Sequence, residues 1–403
     1  MTEMRRSYCG LCHPRCGLLL EIENGTIVKV KGDLHHPISK GRLCQRGRLM
    51  RDHVYHPDRI NTPLKRKGDK GAGHWQQLTW DQALDEVAEQ LSGLREQYGA
   101  ETLAFTHGTK RTYHWDERRF FNLFGSPNIC GANNICMCPS QAVEFATYGG
   151  FTWGDVIHTK CLVLWGHAPS KSNPIGLYPM ILQAQKNGAQ LIVVDPRRIP
   201  EAEKADIWLP IRPGTDVALM LGWLRIIIEE KLYDAEFVAN WTIGFEDLKA
   251  AAAEYTPQKV AEITWLSPEQ VVSSARRYAT TKPAMITWGF GLDKQGLNAT
   301  QAARARSCLR AISGNLDIKG GEPLGWNEPI GKIIGDEEIE FNSALPQEQR
   351  AKQLGADQYP FFGFPGWSRN LKANRRMPTE YMHPPHADMT CVAHARSVFD
   401  AMI

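Results

Sequence analysis

Four cysteines near the start of the chain, Cys9, Cys12, Cys16 and Cys44, stand at C-x2-C-x3-C-x27-C spacing, and they constrain the fold more than any other feature. Thiolates converging on one point suit a soft metal centre, either a tetrahedral zinc or an iron–sulfur cluster. Zinc sites usually come as two knuckles with both ligand pairs closely spaced. Here three ligands are clustered and the fourth is distant. That asymmetry favours a [4Fe–4S] cube with three corners held by one loop, with zinc or plain buried cysteines as the alternatives. Leu18 to Ile22 and Thr26 to Val30 read as strands on either side of Asn24-Gly25. Both turn residues tolerate positive φ, the strongest short hairpin signal, and the hairpin lets Cys44 return to the three-cysteine loop.

Composition narrows the setting. Ten cysteines in 403 residues are too sparse for a disulfide scaffold, and clustered thiols fit a reducing compartment. That length predicts two to four domains. Hydrophobic content of 42% and charged content of 23% are those of a soluble globular protein. A net charge of +3 gives no argument for nucleic acid or a membrane surface as partner. Arg5-Arg6 lacks the apolar stretch that an export signal needs. Val217 to Ile228, the most apolar run, is interrupted by Arg225 and too short to span a bilayer. A cytoplasmic protein without a membrane span is expected. Arg46, Arg48, Arg51, Arg59, Lys65 and Arg66 form a basic stretch, either a solvated face or a wall facing an anionic ligand.

Further along, strands alternate with helices. Thr79 and Gln82 make a capping box for a helix with apolar Leu84, Val87, Ala88, Leu91 and Leu94, stopping at Gly99. Thr102 to Thr106 then reads as a short strand. Cys161 to Trp165, Gln190 to Val194 and Ala284 to Trp288 read as buried strands. Helices are expected from Tyr178 to Asn187, from Thr215-Asp216 to Glu230, from Ser267-Pro268 onward, and from Asn298 to Ser313. This pattern predicts α/β architecture with a doubly wound parallel sheet. Beyond about residue 335, Pro-, Gly- and aromatic-rich stretches such as Tyr359 to Trp367 suggest irregular loops, before a helix-like segment from Val392 to Ile403.

Three strand-end loops carry candidate chemistry. Gly166 to Asn173 follows a strand, where such folds present backbone amides to phosphates, although no G-x-G-x-x-G fingerprint is present. Asp195 ends the next strand before Pro196, as an acceptor for a ribose or guanine edge or as a plain turn-former. Arg212-Pro213-Gly214-Thr215-Asp216 sets a glycine and a hydroxyl at a helix start. Together the loops point to a nucleotide-bearing cofactor. Cys130, Cys136 and Cys138 are either small buried hydrophobes or contain a thiolate that completes a cofactor metal.

These residues resemble the N-terminal half of molybdopterin-dependent oxidoreductases of the dimethyl sulfoxide reductase and formate dehydrogenase type. The cysteine spacing, Cys44-Gln45-Arg46-Gly47, Val194-Asp195-Pro196-Arg197, Arg212 to Asp216, and Gly314-Asn315 leading to Gly320-Gly321 carry the match across residues 5 to 335. The resemblance implies a small [4Fe–4S] domain at 1–60, bound through Cys9, Cys12, Cys16 and Cys44. A first Rossmann-like domain follows at 61–134 and 336–403. A second, at 135–335, would bind a bis-molybdopterin guanine dinucleotide with molybdenum or tungsten. Gly166, His167, Asn173, Asp195, Pro196, Arg197, Pro213, Gly214, Thr215 and Asp216 are the expected contacts. The ligand-x-x-Pro-Ser pattern places the metal ligand and catalytic role on Cys136, with Cys138 as runner-up. Arg46 is expected between cluster and pterin, and His13 has no catalytic role.

Family members carry a further C-terminal domain with no counterpart in these residues, which implies a truncated or split gene product, a cofactor-binding half inactive alone, or a separate chain that supplies the missing half. The implied activity is two-electron oxygen-atom or hydride transfer on a small-molecule substrate, with an electron-transfer protein or subunit as partner. Hydratases and hydroxyl transferases within the family are the alternative. Met137 after Cys136 disfavours formate as substrate.

Overall fold

The computed structural model describes residues 2–12, 14–108, 115–131, 138–294, 298–324, 345–359 and 393–402. His13, Cys136 and Met137 lie outside them, as does most of the stretch expected to be irregular after residue 335. Two units are present, residues 1–134 with 330–403, and residues 135–329.

The first unit opens with an antiparallel sheet of β1 (Thr2–Tyr8), β2 (Gly17–Glu23) and β3 (Thr26–Gly32), with β2 in the middle. The hairpin turn has Asn24 at φ 49° and Gly25 at φ 79°, the twist that matches the flanking strands. β1 is exposed along its whole length, with Arg6 reaching Asp33 at 3.4 Å. Arg5-Arg6 is therefore part of an edge strand, and charge there blunts pairing with other chains. Short helices α1 (Gln45–Arg48) and α2 (Met50–Val54) precede a small hairpin, β4 (Leu64–Arg66) with β5 (Trp75–Gln77). Helix α3 (Trp80–Tyr98) starts from the reciprocal Thr79–Gln82 capping box and ends at Gly99, φ 91°. β6 (Phe105–His107) pairs in parallel with β7 (Ile129–Gly131), and α4 (Trp115–Phe124) lies between them in sequence. A helical turn, Gln347–Arg350, and a helix, Ala395–Asp400, belong to the same unit.

The second unit runs without interruption. Its elements are α5 (Cys138–Tyr148), β8 (Cys161–Trp165), α6 (Pro169–Ser172), α7 (Leu177–Lys186), β9 (Gln190–Val194), β10 (Ile207–Leu209), α8 (Asp216–Glu229), α9 (Ala235–Trp241), α10 (Phe245–Ala253), α11 (Pro257–Thr264), α12 (Pro268–Thr280), β11 (Ala284–Trp288) and α13 (Ala299–Ile312). The four strands are parallel in the order β10-β9-β8-β11. Continuous apolar strands are what a sheet covered on both faces needs, and β8 is buried at every position.

The strand period of two sorts β8 between two cores. Cys161, Val163 and Trp165 pack with Leu219, Trp223, Tyr278 and Leu309 on one face. Leu162 and Leu164 pack with Ile181, Leu191 and Val193 on the other. Trp223 sits edge-on to Trp165, ring centroids 5.3 Å apart, and its indole N–H donates to Ser274 Oγ at 3.0 Å. Burying each such large side chain stabilises the fold by roughly 1.5–3 kcal/mol. From β8 the chain steps outward through β9 to β10, then returns to the far side of β8 with β11. The topological switch point therefore lies between β8 and β11, where ligands of open α/β sheets sit at the carboxyl ends of the strands.

Candidate functional site

In the first unit, the loop that joins β1 to β2 brings three cysteines together. The Cys9 amide donates to the Cys16 carbonyl at 2.8 Å, and Arg15 makes the turn at φ 43°. Cys9 and Cys16 are buried, Cys12 and Cys44 partly so, and none is in a disulfide. Burial raises the Cys16 thiol pKa first, and repulsion from Cys12, Cys9 and Cys44 raises it further, so the four sulfurs share one neighbourhood. Burial works against ionisation of Cys44 too. There the amides of Gly47 and Arg46 and the Arg46 side chain more than offset it and hold the thiol below its ordinary value. Among the described residues no three His, Cys, Asp or Glu stand close enough to share a single ion. Three thiols from one loop and a fourth at the start of α1 make the asymmetric donor set of a cube, whose corners are four separate irons, more than that of two zinc knuckles. The donor set fits a [4Fe–4S] cluster.

In the second unit, the loops after β8, β9 and β10 all leave the carboxyl edge of one sheet. Gly166, at φ 56°, starts the first of them. A Cβ on Gly289, after β11, would lie 1.8 Å from the Gly166 carbonyl oxygen, so the two loops touch at the switch point only because position 289 carries no side chain. His167 lies beside them, Nδ1 3.2 Å from Thr287 Oγ1 and Nε2 3.4 Å from Ser172 Oγ. Burial pushes its pKa down to about 4, so the ring is neutral at pH 7. Asn173 is turned inward on its own loop, where its Oδ1 accepts the Gly176 amide at 3.0 Å.

Asp195 is buried, and its Oδ1 accepts the Arg197 amide at 2.9 Å, a turn-forming role within the Asp195-Pro196-Arg197 corner. Pro196 and Arg197 are exposed. Pro213 and Gly214 are exposed as well, and Gly214 takes φ 84°. Thr215 Oγ1 donates to the Arg212 carbonyl at 2.7 Å. Asp216 is different: it is buried at the first turn of α8, and its Oδ1 accepts the Trp165 indole N–H at 2.7 Å. Its carboxylate joins helix to sheet. Gly166, His167, Pro196, Arg197, Pro213, Gly214 and Thr215 thus gather along one edge, while Asn173, Asp195 and Asp216 spend at least one oxygen within the protein. Gly289 and Thr287 complete the switch point. The glycine is visible in the sequence as the end of a strand, but its approach to Gly166 depends on strand order, which no local pattern records. A sheet edge of exposed loop backbone with glycine at positive φ fits a phosphate-bearing cofactor.

Comparison with known proteins bears on both sites. The molybdopterin oxidoreductase family model matches residues 59–386, and the Fe4S4 domain of molybdopterin oxidoreductases matches residues 2–56. Acetylene hydratase of Syntrophotalea acetylenica is 36% identical over 408 aligned positions, covering 100% of this chain and 55% of the relative. Formate dehydrogenase H of Escherichia coli is 31% identical, covering 80% of this chain and 46% of the relative. The solved acetylene hydratase from Pelobacter acetylenicus superimposes with a TM-score of 0.84, covering 98% of this chain and 55% of that one. The chain spans about half the length of these relatives. The family cofactors are a [4Fe–4S] cluster and molybdopterin, and the chain belongs to the molybdopterin oxidoreductase family, with an Fe4S4 domain at its start.

Proposed function

We propose that this chain is the cofactor-binding portion of a molybdenum or tungsten enzyme with a bis-molybdopterin guanine dinucleotide, which carries out two-electron oxygen-atom or hydride transfer on a small molecule. The observation that carries the reading is the set Cys9, Cys12, Cys16 and Cys44 with Arg46 against Cys44. A chain that invests four thiols in an electron carrier needs a route for electrons. When bound, the metal and pterin supply the change of oxidation state, and the cluster supplies that route.

The protein's own part is binding and placement. Cys9, Cys12, Cys16 and Cys44 would hold the cluster, and Arg46 would tune it by its charge. Gly166, Pro196, Pro213, Gly214 and Thr215 would offer backbone and hydroxyl contacts, Arg197 a cation, and neutral His167 a hydrogen bond without charge. Asn173, Asp195 and Asp216 would shape those loops from within. Cys136 would be the metal ligand and the catalytic residue, with Cys138 as the alternative. The domain boundaries implied by the family, 1–60, 61–134 with 336–403, and 135–335, belong to the same reading. So do a cytoplasmic location and an electron-transfer partner. No helix among the described residues is long and apolar enough to cross a membrane.

Non-redox hydration is the second reading, favoured by the acetylene hydratase match over the whole of this chain. Metal analysis of the purified protein tests the shared part. Iron and sulfide with molybdenum or tungsten are expected, whereas iron and sulfide alone would leave a cofactor-binding half inactive by itself. Turnover that needs no electron donor or acceptor would sink the redox reading in favour of hydration.

A further inference from the structure

Ser140, Trp288, Asp293 and Arg306 close a ring of contacts at the carboxyl edge of the parallel sheet. Arg306 Nη2 donates to Ser140 Oγ at 2.6 Å, and Ser140 donates in turn to Asp293 Oδ1. The other carboxyl oxygen of Asp293 accepts the Trp288 indole N–H at 3.2 Å. The Arg306 guanidinium lies 3.9 Å from the centroid of the Trp288 ring, which completes the circuit through a cation–π contact. Ser140, Asp293 and Arg306 are buried. The ring draws on four places in the chain: the first turn of α5, the last residue of β11, the helical turn Leu292–Lys294 that follows it, and the middle of α13.

Two observations separate this ring from an ordinary core contact. The first is how its arginine is used. The neighbouring Arg310 engages Nε, Nη1 and Nη2, with Glu322, Glu144 and the Ile286 carbonyl as acceptors. Arg306 engages Nη2, while its Nε and Nη1 have no hydrogen-bond partner among the described residues. Buried donors without acceptors cost stability, so stability alone gives no reason for a guanidinium there. Breaches of this kind are expected where a site needs a group held in one place. The second is placement. Gly289 follows Trp288 directly, takes the Trp165 carbonyl on its amide at 2.9 Å, and makes the close approach to Gly166 at the switch point. Across the ring, Ser140 is the third residue of α5; Cys138 opens that helix, and Cys136 stands two residues before it. The ring therefore ties the loop at the switch point to the helix start that follows the proposed metal ligand.

We propose that Arg306, Ser140 and Asp293 are positioning residues for the metal ligand: the ring locks the first turn of α5 to the loop after β11 and so fixes segment 136–138 relative to the Gly166–Gly289 edge. They act through the backbone of α5. Groups that orient a ligand from behind typically change metal affinity or activity by about 10–100-fold when removed, and small misplacements of a reacting centre are costly in rate. The inference rests on the proposed function in one respect, that a cysteine of segment 136–138 is the metal ligand.

The test uses Ser140→Ala and Asp293→Asn, small changes on opposite sides of the ring, with Ser274→Ala as the structural control. Ser274 is also buried and accepts an indole N–H, from Trp223 at 3.0 Å, but belongs to α12 and not to the ring. All three should lower the melting temperature by similar amounts. Only the two ring variants should change the paramagnetic resonance signal of the molybdenum or tungsten centre and lower kcat by about tenfold or more at little change in KM, with the signal of the iron–sulfur cluster unaltered as an internal reference. In the same two variants, amides of residues 140–144 and 289–294 should exchange together at least about fivefold faster, while those of α7 keep their rates. Because the ring acts as one unit, the double variant should be little worse than either single one. If the wild-type chain carries neither molybdenum nor tungsten, the proposed function fails while the exchange comparison still decides the ring. Unchanged exchange at 140–144 in both ring variants overturns the proposal. So does a metal signal that stays the same in them, or one that moves equally in Ser274→Ala.

Discussion

Arg310 Nη1 donates to Glu144 Oε1 at 2.6 Å, and both side chains are wholly out of water. The same guanidinium donates through Nε to Glu322 Oε1 at 2.9 Å and through Nη2 to the Ile286 carbonyl at 2.8 Å. One residue thereby joins α5, α13 and β11. Arg306 extends the cluster, donating to Ser140 Oγ at 2.6 Å, and Ser140 donates in turn to Asp293. Arg306 Nε and Nη1 have no hydrogen-bond partner among the described residues, but the guanidinium lies 3.9 Å from the Trp288 ring centroid, whose π face attracts a cation. Burial raises the carboxyls of Glu322 and Asp293 above their ordinary range. It also lowers Arg306, whereas for Arg310 the pull of Glu322 and Glu144 overcomes burial and keeps it charged.

Glu144→Ala is therefore expected to cost about 3–5 kcal/mol, because it leaves two buried cations short of an anion. Replacing Glu144, Arg306, Arg310 and Glu322 together by apolar residues of similar volume should cost much less. Urea denaturation of each variant measures both, and a loss below about 1 kcal/mol for Glu144→Ala would show that water reaches the cluster.

His167 makes stability depend on pH. The unfolded imidazole, with a pKa near 6.5, takes up a proton before the folded one, which burial pushes down to about 4. The contribution is complete above about pH 6.5 and is lost as pH falls toward 4, since the unfolded state binds more protons across that window. His167→Gln should flatten the stability profile there by up to roughly 3 kcal/mol. Parallel profiles for the two proteins would show the ring to be hydrated.

Gly289→Ala should damage the switch point, because its Cβ would lie 1.8 Å from the Gly166 carbonyl oxygen. Backbone must move, at a cost of roughly 1–3 kcal/mol, seen as a lower melting temperature. Gly214→Ala meets no atom within 4 Å but must take φ 84°, so its penalty is one of backbone strain alone.

Cys44→Ser should remove or distort the cluster, read as lost iron, lost sulfide and lost visible absorption. Cys136→Ala should leave that absorption intact while activity falls. Unchanged activity would move the ligand assignment to Cys138. Arg46→Gln should retain the iron and shift the cluster's reduction potential downward, since a nearby cation favours the reduced, more negative state.

Much of the second unit was readable from the chain, and for a physical reason. Cys161 to Trp165, Gln190 to Val194 and Ala284 to Trp288 are strands with those bounds, because sheets covered on both faces require unbroken apolar runs. Helix ends moved by a residue or so, as at Leu177–Lys186. β1 was missed because none of its residues is buried, so it has no apolar signature. β10 is only three residues long, too short for a period to register. The apolar face of α3 was legible as amphipathic, but periodicity records a face and not its burial. At the candidate site, the strand-end glycines were visible. The turn-forming role of Asp195 is local and was one of its two readings, whereas the Asp216 bond to Trp165 depends on a contact between elements far apart in sequence.

The second unit also bears on how the chain is made. Its four strands, its two cores and its buried ion cluster all fall within residues 135–329. No described strand of that sheet comes from later in the message. The unit can therefore close behind the ribosome while the rest is still being synthesised, so its parallel strands spend little time as an open edge, the kind on which nascent chains aggregate.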